Sequence, residues 1–332
     1  MRRVGPSRRR GVTTLITGAT GFVGRPIVDY LIADGETVRV LIPPGLVVPH
    51  EWRDRESVSV GELRDPDSLP PAVRGVTAVY HLAGELRDST HFTSVNVEGT
   101  RNLLAASAEE GRVRVLHMSS VGVIGARRRG EYDEDSACQP RSPYEVSKLR
   151  GEEIARDFGR RGDLAVTVVR PTIVFGPRLE GPSDSFLSWL RAIKLGRFRF
   201  VGSAPAVANY VFVEDVAAAC VHLARAYEAV GETYHIADPC TIEELVLEAA
   251  RVLGVEAPGR LPRAAAYGAA AACEALGSAL RFAPPLTLGR VRALTSSVKF
   301  SGEKLRRAFQ LPFGWREGVR RTVQAYQRAG RL

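Results

Sequence analysis

The feature that most restricts the fold is a glycine-rich turn near the N-terminus, between an apolar segment and a helical one. "VTTLI" (12–16) has the composition of a strand, and "TGATGFVG" places Gly18, Gly21 and Gly24 directly after it. "RPIVDYLIADG" follows, with apolar residues at helical spacing. Glycines at such a turn let the backbone approach a pyrophosphate, and the free N–H groups of the helix start bind it. The sequence therefore predicts a dinucleotide-binding unit at this end of the chain.

Strand-like and helix-like segments then alternate along the chain. The further strands are predicted at 37–42, 57–60, 78–83, 113–120, 165–171 and 233–237. Strands that alternate with helices predict an α/β protein with a doubly wound, parallel Rossmann sheet. After residue 177 the pattern changes, and from residue 241 it is mostly helical. We therefore expect a basic flexible arm (1–11), a dinucleotide-binding Rossmann domain (12–177 plus 209–238) and a smaller, mostly helical C-terminal substrate lobe (178–208 plus 239–328).

Charge and cysteine content exclude several classes of protein. The net charge is +9, with five arginines in the first ten residues, but no zinc-finger, RNP or helix-turn-helix pattern accompanies it, so we expect no nucleic-acid partner. No run of about twenty apolar residues predicts a spanning helix, and the N-terminus lacks the apolar part of a signal peptide. The scattered cysteines form no CxxC, which argues against a metal site or a disulfide framework and favours the cytoplasm. A homodimer is compatible with the sequence.

The segment "SPYEVSK" (142–148) predicts a proton-transfer pair at a helix start. Ser142, Pro143 and Glu145 have the pattern of a capped helix, which places Tyr144 and Lys148 one turn apart on one face. A free tyrosine has a pKa of about 10, and a nearby ammonium lowers that pKa. Tyr144 is thus a candidate general acid and base. The alternative is an ordinary exposed helical turn, since many helices contain Y-x-x-x-K by chance.

Two further polar positions extend this candidate site. Ser120 and its neighbour Ser119 end the fifth predicted strand, where a doubly wound sheet binds its ligands. Either hydroxyl could hold the substrate oxygen against Tyr144. Asn96 either supports a proton relay through water or caps the helix at 97–110. The histidines in or beside apolar runs are interpreted as packed residues rather than ligands: His81, His117 and His222.

The GxxGxxG spacing resembles the short-chain dehydrogenase/reductase superfamily, in particular the extended branch that contains the NAD-dependent epimerases and dehydratases. The resemblance continues in "VGELRDPDSL" (60–69), "HLAG" (81–84), "NVEGTRNLL" (96–104), "SSVGVIG" (119–125), "SPYEVSK", "RPTIVFGP" (170–177) and "NYVFVEDVA" (209–217). It implies an enzyme that acts on a small molecule with a nicotinamide cofactor. The family pattern favours Ser120 over Ser119, because the active serine lies five residues before a glycine, here Gly125. The implied catalytic residues are Ser120, Tyr144, Lys148 and Asn96.

The resemblance also implies a set of cofactor contacts. Lys148 would hydrogen-bond the nicotinamide ribose, and Glu62 stands where an aspartate usually contacts the adenine. The implied cofactor-binding residues are Gly18, Thr20, Gly21, Phe22, Val23, Gly24, Arg25, Glu62, Leu63, Leu82, Ala83, Ser119, Tyr144, Lys148 and Pro171.

The end of the second strand departs from the pattern of NAD-preferring members. These members place an acid there to bind the ribose hydroxyls, but this chain reads "LIPPG", with Ile42 or Pro43 at that position. The sequence therefore favours NADP, or both dinucleotides with little discrimination, over NAD alone. Arginines that could replace the missing 2′-phosphate ligand are Arg25, Arg39, Arg53 and Arg55.

The second lobe indicates the substrate class. Ala208 occupies the position where nucleotide-sugar epimerases usually carry a diphosphate-binding arginine, although Arg178, Arg191, Lys194 or Arg199 could compensate. The tail (284–326) resembles that of 3β-hydroxysteroid dehydrogenase-like members and related ketone reductases. The alanine-rich segment 263–285 is a packed helix, a wall of an apolar pocket or a helix resting weakly on a membrane surface.

Three functions therefore remain in view. The leading one is hydride transfer to or from a secondary alcohol or ketone of an apolar molecule. The alternatives are a nucleotide-sugar epimerase or dehydratase, and a non-catalytic protein that senses a dinucleotide.

Overall fold

The structure is a computed structural model that describes residues 13–47, 49, 52, 58–125, 129–178, 185–204, 206–280 and 286–332. The predicted arm (1–11), Arg53, Arg55 and the end of the alanine-rich segment (281–285) lie outside the described residues.

A seven-stranded parallel sheet forms the centre of the protein. The described residues contain seven strands of this sheet and eight further strands in two-stranded pairs. In chain order, they are β1 (Thr13–Thr17), β2 (Thr37–Ile42), β3 (Val58–Val60), β4 (Ala78–His81), β5 (Arg114–Met118), β6 (Arg129–Tyr132), β7 (Ala165–Pro171), β8 (Ile173–Phe175), β9 (Phe200–Val201), β10 (Val207–Ala208), β11 (Tyr210–Phe212), β12 (Thr233–Ile236), β13 (Cys240–Thr241), β14 (Arg260–Leu261) and β15 (Ser297–Phe300). The central order is β12-β7-β5-β4-β1-β2-β3, and every neighbouring pair is parallel. This confirms the predicted doubly wound sheet.

Helices cover both faces of this sheet. They are α1 (Gly24–Ala33), α2 (Pro70–Val73), α3 (Gly99–Glu109), α4 (Pro143–Arg161), α5 (Ser185–Lys194), α6 (Val213–Arg225), α7 (Ile242–Leu253), α8 (Arg263–Leu280), α9 (Leu288–Ala293), α10 (Glu303–Ala308) and α11 (Gly314–Arg328). Neighbouring side chains of a strand point to opposite faces. Ile16 therefore packs in the core beneath α1 and α6, while Leu15 packs in the core beneath α3 and α4.

An aromatic cluster joins the segments predicted as the substrate lobe to the end of the predicted Rossmann unit. Phe186 on α5, Ile242 on α7 and Tyr326 on α11 are buried together with Phe175 and Phe212. The Tyr326 hydroxyl donates to Gly176 O at 3.2 Å, which ties the last helix to the end of the Rossmann unit. The predicted alanine-rich helix is present as α8, which packs through Ala266 and Ala270 and is otherwise largely exposed. Of the helices that the structure describes, none is long and apolar enough to cross a membrane.

The helix predicted at 97–110 begins later than expected and is preceded by a wider helical turn. Phe92–Glu98 forms a π-helical turn, and α3 continues from it. Just after this turn, the Thr100 hydroxyl donates to Asn96 O at 2.8 Å. Gly151 of α4 packs against the same carbonyl, and a Cβ there would lie 2.5 Å from Asn96 O. Single π-turns of this kind are frequent at functional sites.

Candidate functional site

The glycine turn brings β1 into close contact with the end of β4. Gly18 has a φ of +72°, and a Cβ at this position would lie 2.7 Å from Ala83 N. A Cβ at Gly24 would lie 2.1 Å from Gly18 O. Gly21 N donates to Gly18 O at 2.9 Å and closes the turn. The turn geometry therefore requires glycine at positions 18 and 24.

The start of α1 is suited to an anion. Its N-cap residue Val23 provides no side-chain hydrogen bond, and the first turn contains no acidic residue. Uncapped N–H groups at a helix start attract negative charge. The residues present fit the pyrophosphate of a dinucleotide at this position.

A cavity of about 340 Å³ opens beside the glycine turn. Its lining includes six residues that the sequence assigned to the cofactor: Gly18, Thr20, Gly21, Glu62, Leu63 and Ala83. The lining also includes residues that the sequence did not assign to the cofactor, within or after the carboxyl ends of β2, β3 and β4: Leu41, Leu46, Arg64, Glu85, His91 and Val95. The position after a strand end in a parallel sheet is the signal that could have identified them. Pro43, which the sequence placed at the ribose position, lines the cavity as well.

Other residues assigned to the cofactor are not part of the described lining of this cavity. Phe22 lies under the Arg178 guanidinium, at 4.6 Å from the ring centroid. Val23 and Leu82 pack against the hydrophobic core. Pro171 is buried at the end of β7, and Arg25 N donates to Gly21 O. Their contacts with a cofactor stay predictions.

The rim beside β2 is apolar, as the sequence indicated, but one proposed cation is engaged elsewhere. Arg39 donates to Ala72 O at 2.7 Å and to Arg74 O at 2.8 Å, so its guanidinium is occupied by backbone carbonyls. Arg64 lines the cavity instead, in a partly exposed ion pair with Glu62 at 3.3 Å. Arg64 is thus a cation in the cleft that sequence reasoning did not consider.

The predicted capping box at the start of α4 is confirmed. Glu145 N donates to Ser142 Oγ at 3.2 Å, and Ser142 N donates to Glu145 Oε2 at 3.0 Å. Tyr144 is half-buried, with its ring edge-to-face against Phe92 at 5.8 Å. Lys148 lies one turn further on, so the cap sets the face on which both side chains project.

Lys148 is buried at the carboxyl end of β5. It is 6% exposed, and its Nζ donates to Met118 O, the last carbonyl of β5, at 2.6 Å. Burial lowers the pKa of Lys148 to about 8, and the charge of Glu152 opposes that shift. The chain contains only four lysines among its 46 lysine and arginine residues, so a lysine at this position is uncommon for this sequence.

The pKa of Tyr144 shifts in the direction opposite to the one that the sequence predicted. Burial, and to a smaller extent the nearby Glu145 carboxylate, raise the pKa of Tyr144. The expected lowering by Lys148 is absent, and the ammonium donates to the Met118 carbonyl instead. The phenol is therefore protonated at neutral pH, as a proton donor needs to be.

The two serines differ in their surroundings. Ser120 is half-buried, and its Oγ accepts a hydrogen bond from Gly122 N at 3.1 Å, which fixes the side chain at the end of β5. Ser119 is 3% exposed, and its N donates to Val169 O within the sheet. Its hydroxyl faces Glu152, whose pKa it helps to lower. The choice of Ser120 over Ser119 stays a prediction.

Asn96 fastens the turn after β4 to α4. Its Nδ2 donates to Glu85 O at 3.0 Å and to Ser147 Oγ at 2.9 Å, and its Oδ1 accepts from Glu85 N at 2.8 Å. It lies inside the π-helical turn, so the interpretation as a helix cap is wrong. Its role in a proton relay stays a prediction.

The histidines are packed side chains, as expected. His81 hydrogen-bonds Thr17 Oγ1 at 2.8 Å and Thr100 Oγ1 at 2.9 Å, and burial lowers its pKa to about 3. His222 stacks on Phe309 at 4.7 Å. Within the described residues no three histidine, cysteine or acidic side chains form a group that could hold a metal ion.

Comparison with known proteins gives a consistent family. The family model for the NAD dependent epimerase/dehydratase family matches residues 14–237. A ceramide reductase from Caulobacter vibrioides is 31% identical, over 97% of this chain and 96% of its own. An N-acetyl-alpha-D-glucosaminyl-diphospho-ditrans,octacis-undecaprenol 4-epimerase from Escherichia coli O157:H7 is 28% identical, over 93% of this chain and 94% of its own. A 3beta-hydroxysteroid-dehydrogenase/decarboxylase (isoform 2) from Arabidopsis thaliana is 28% identical, over 94% of this chain and 61% of its own.

Solved structures show the same fold. The crystal structure of gox2253 is 28% identical, with a TM-score of 0.76 over 97% of this chain and 99% of that chain. The structure of RMD from Pseudomonas aeruginosa, complexed with NADPH, is 25% identical, with a TM-score of 0.67 over 96% of this chain and 99% of that chain.

Proposed function

The chain belongs to the NAD dependent epimerase/dehydratase family, and we propose that it is an NAD(P)-dependent oxidoreductase that interconverts a ketone and a secondary alcohol on a largely apolar, lipid-like substrate. The observation that carries the proposal is the meeting of three groups near the end of β5. A capped Tyr144, a buried Lys148 and a fixed Ser120 share this edge of the sheet with the glycine turn.

The chain's own residues supply the acid–base part of the reaction. When bound, the nicotinamide cofactor provides or accepts the hydride. In the reductive direction, Ser120 holds the substrate oxygen and Tyr144 donates its proton to that oxygen as the carbonyl carbon gains the hydride. In the oxidative direction, Tyr144 takes the proton back. Lys148, whose Nζ is held at Met118 O rather than against the phenol, would hydrogen-bond the nicotinamide ribose of the bound cofactor.

The preference for an apolar substrate rests on where the second lobe places its cations. Ala208 is 2% exposed within β10 and offers no donor to a diphosphate. Arg199 donates to Gly196 O and Phe198 O, both at 2.7 Å, and Arg191 donates to Arg331 O at 3.1 Å. A diphosphate with unpaired charges would cost several kcal/mol to bury. The name of the Caulobacter relative, a ceramide reductase, agrees with a lipid-like substrate.

One observation favours the epimerase alternative. The second lobe contains a cavity of about 510 Å³ whose lining includes Arg260 and Arg263, so it could accept an anionic group. Arg260 is partly neutralised there by Glu243 at 2.8 Å. The Escherichia coli relative is named for epimerising a sugar on a lipid diphosphate.

The cofactor is proposed to be NADP(H), or both dinucleotides with little discrimination. Leu41, Pro43 and Leu46 form the rim where an acid would otherwise hold the ribose hydroxyls. Arg64 lies in the same cleft and can approach a 2′-phosphate. Calorimetric titration of both dinucleotides tests this, and NAD binding a hundredfold more tightly than NADP would contradict it.

Turnover separates the two substrate classes. Purified enzyme is supplied with NADPH or NADH and a panel of long-chain β-keto, steroid and flavonoid ketones. In parallel, it is supplied with NAD and UDP-glucose, dTDP-glucose or a polyprenyl-diphosphate sugar. We expect cofactor oxidation with a member of the first panel and no epimer in the second. Epimer formation without net cofactor oxidation would establish the alternative.

A further inference from the structure

Lys148 is a buried cation in surroundings that offer it little compensating charge. Two imidazoles lie nearby, His81 on β4 and His117 on β5, and burial lowers the pKa of both, so that they are neutral at pH 7. An isolated ammonium in such a place is strongly disfavoured. The charged form of Lys148 therefore depends on an anion elsewhere in the pocket.

Other elements packed around α4 carry few charged groups that face the interior. The π-helical turn contributes Glu98 and α3 contributes Arg101 and Glu109, all of which are exposed. β7 contributes Arg170, which is 2% exposed, and α4 itself contributes Tyr144, Glu145 and Glu152. Among these groups, Glu152 is the buried anion, at 1% exposure.

Glu152 is fixed by an arginine from the neighbouring strand. Arg170 donates through Nη2 to Glu152 Oε1 at 2.7 Å and through Nε to Oε2 at 3.0 Å, in a two-point contact. Arg156 adds two hydrogen bonds to Oε1 from a position where its side chain is 36% exposed. Such forked contacts define the orientation of a carboxylate as well as its charge.

The same arginine connects the carboxylate to the segment between Ser120 and Tyr144. Arg170 Nη2 lies 3.3 Å from Cys138 Sγ, and Nη1 donates to Glu134 O at 3.4 Å. Glu134 in turn accepts from His235 N at 2.7 Å. The clamp thus joins α4, β7, β12 and the 134–138 segment into one buried polar network.

We propose that Glu152, clamped by Arg170, is a positioning residue that acts through Lys148: its carboxylate is the buried counter-charge that keeps the lysine protonated, while Met118 O directs the ammonium at the end of β5. Residues 148 and 152 are one turn apart on the buried face of α4, so the carboxylate follows the ammonium along the same side of the helix. The inference rests on the proposed function for the role of Lys148 in catalysis, but the charge state of the lysine can be measured without turnover.

The experiment titrates the lysines of the cofactor-free protein. The chain contains four lysines, so ¹³Cε-lysine NMR gives four signals, and Lys148→Arg identifies the buried one. In the wild type we expect Lys148 to titrate near pH 8. Glu152→Gln removes the anion and leaves Arg170, so the midpoint should fall by about one pH unit or more. Glu153→Gln makes the same chemical change at the exposed neighbouring position and should leave the midpoint in place.

A second variant acts in the opposite direction and does not depend on the folding of Glu152→Gln. Arg156→Gln removes a partly exposed cation from the same carboxylate, so the Lys148 midpoint should rise by a few tenths of a pH unit. An unchanged midpoint in Glu152→Gln, or a fall in Arg156→Gln, would overturn the proposal and leave the ion pair a structural contact. In steady-state turnover of a ketone substrate, the alkaline apparent pKa of the pH–rate profile should shift together with the NMR midpoint of Lys148. Failure of the proposed function would instead appear as a normal titration with no ketone reduction.

Discussion

Gly24→Ala should damage the dinucleotide turn, by an amount that the structure allows us to estimate. The added Cβ would lie 2.1 Å from Gly18 O and 2.8 Å from both Ala19 Cα and Ala19 O. These neighbours are backbone atoms, and real Cβ atoms essentially never approach closer than 3.0 Å, so the turn must move by about 0.9 Å. Overpacking of this kind costs about 1–3 kcal/mol, which exceeds the gain of about 1 kcal/mol in helix propensity.

The same displacement moves the N–H groups at the start of α1 away from their anion, so cofactor affinity should fall at least about tenfold, which corresponds to about 1.4 kcal/mol. Urea denaturation measures the stability, and quenching or enhancement of NADPH fluorescence measures the affinity. Gly268→Ala is the matched control, because Gly268 lies within α8 and a Cβ there meets no atom within 4 Å. This control should be stabilised by about 0.5–1 kcal/mol with unchanged affinity. Wild-type stability and affinity in Gly24→Ala would refute the reasoning.

Three further predictions concern the site and the core. Tyr144→Phe should lower turnover about 10²–10⁴-fold while cofactor affinity changes little, which steady-state kinetics and a binding titration would show together; turnover at the wild-type rate would exclude the tyrosine as the acid. Arg64→Ala should weaken NADP more than NAD in parallel titrations, and an equal effect on both would remove Arg64 from the 2′-phosphate site. The free energy of unfolding should fall as the pH drops below about 6.5. Burial lowers the pKa of three histidines in the folded state, namely His81, His117 and His235. The unfolded chain therefore takes up protons that the folded chain does not. The slope should reach at most about 4 kcal/mol per pH unit, reduced by Asp215, whose pKa is raised to about 6. Urea denaturation at a series of pH values would measure it, and a flat profile between pH 6.5 and 5 would contradict the burial of these rings.

Local features of the site were predictable because neighbouring residues determine them. The glycine turn follows from steric rules within eight residues, and the capping box of Ser142 and Glu145 follows from a four-residue pattern. The periodicity of the strands sufficed for the parallel sheet. The sequence pattern that indicates each of these features is local, although the strand pairing and the approach of Gly18 to Ala83 join residues distant in sequence.

Features that depend on contacts distant in sequence were not predictable. Arg39 looked available, but α2 brings two carbonyls to it from more than thirty residues away. Tyr144 was expected to be acidified, yet its pKa depends on burial and on the direction of the Lys148 ammonium, which Met118 O fixes. The π-helical turn depends on how Gly151 packs against Asn96, and this contact exists only once α4 lies on the sheet.

The most direct test of the proposed function measures the transfer of a labelled hydride from the cofactor to the substrate carbonyl carbon. Enzyme is incubated with NADPH or NADH that carries deuterium at both C4 positions and with the ketone that gives the fastest cofactor oxidation, and the product is examined by mass spectrometry. The account predicts a secondary alcohol that carries one deuterium at the former carbonyl carbon, in equal amount to the cofactor oxidised, and no such product with Tyr144→Phe. Unlabelled ketone recovered unchanged, together with interconversion of a sugar at constant cofactor, would contradict it.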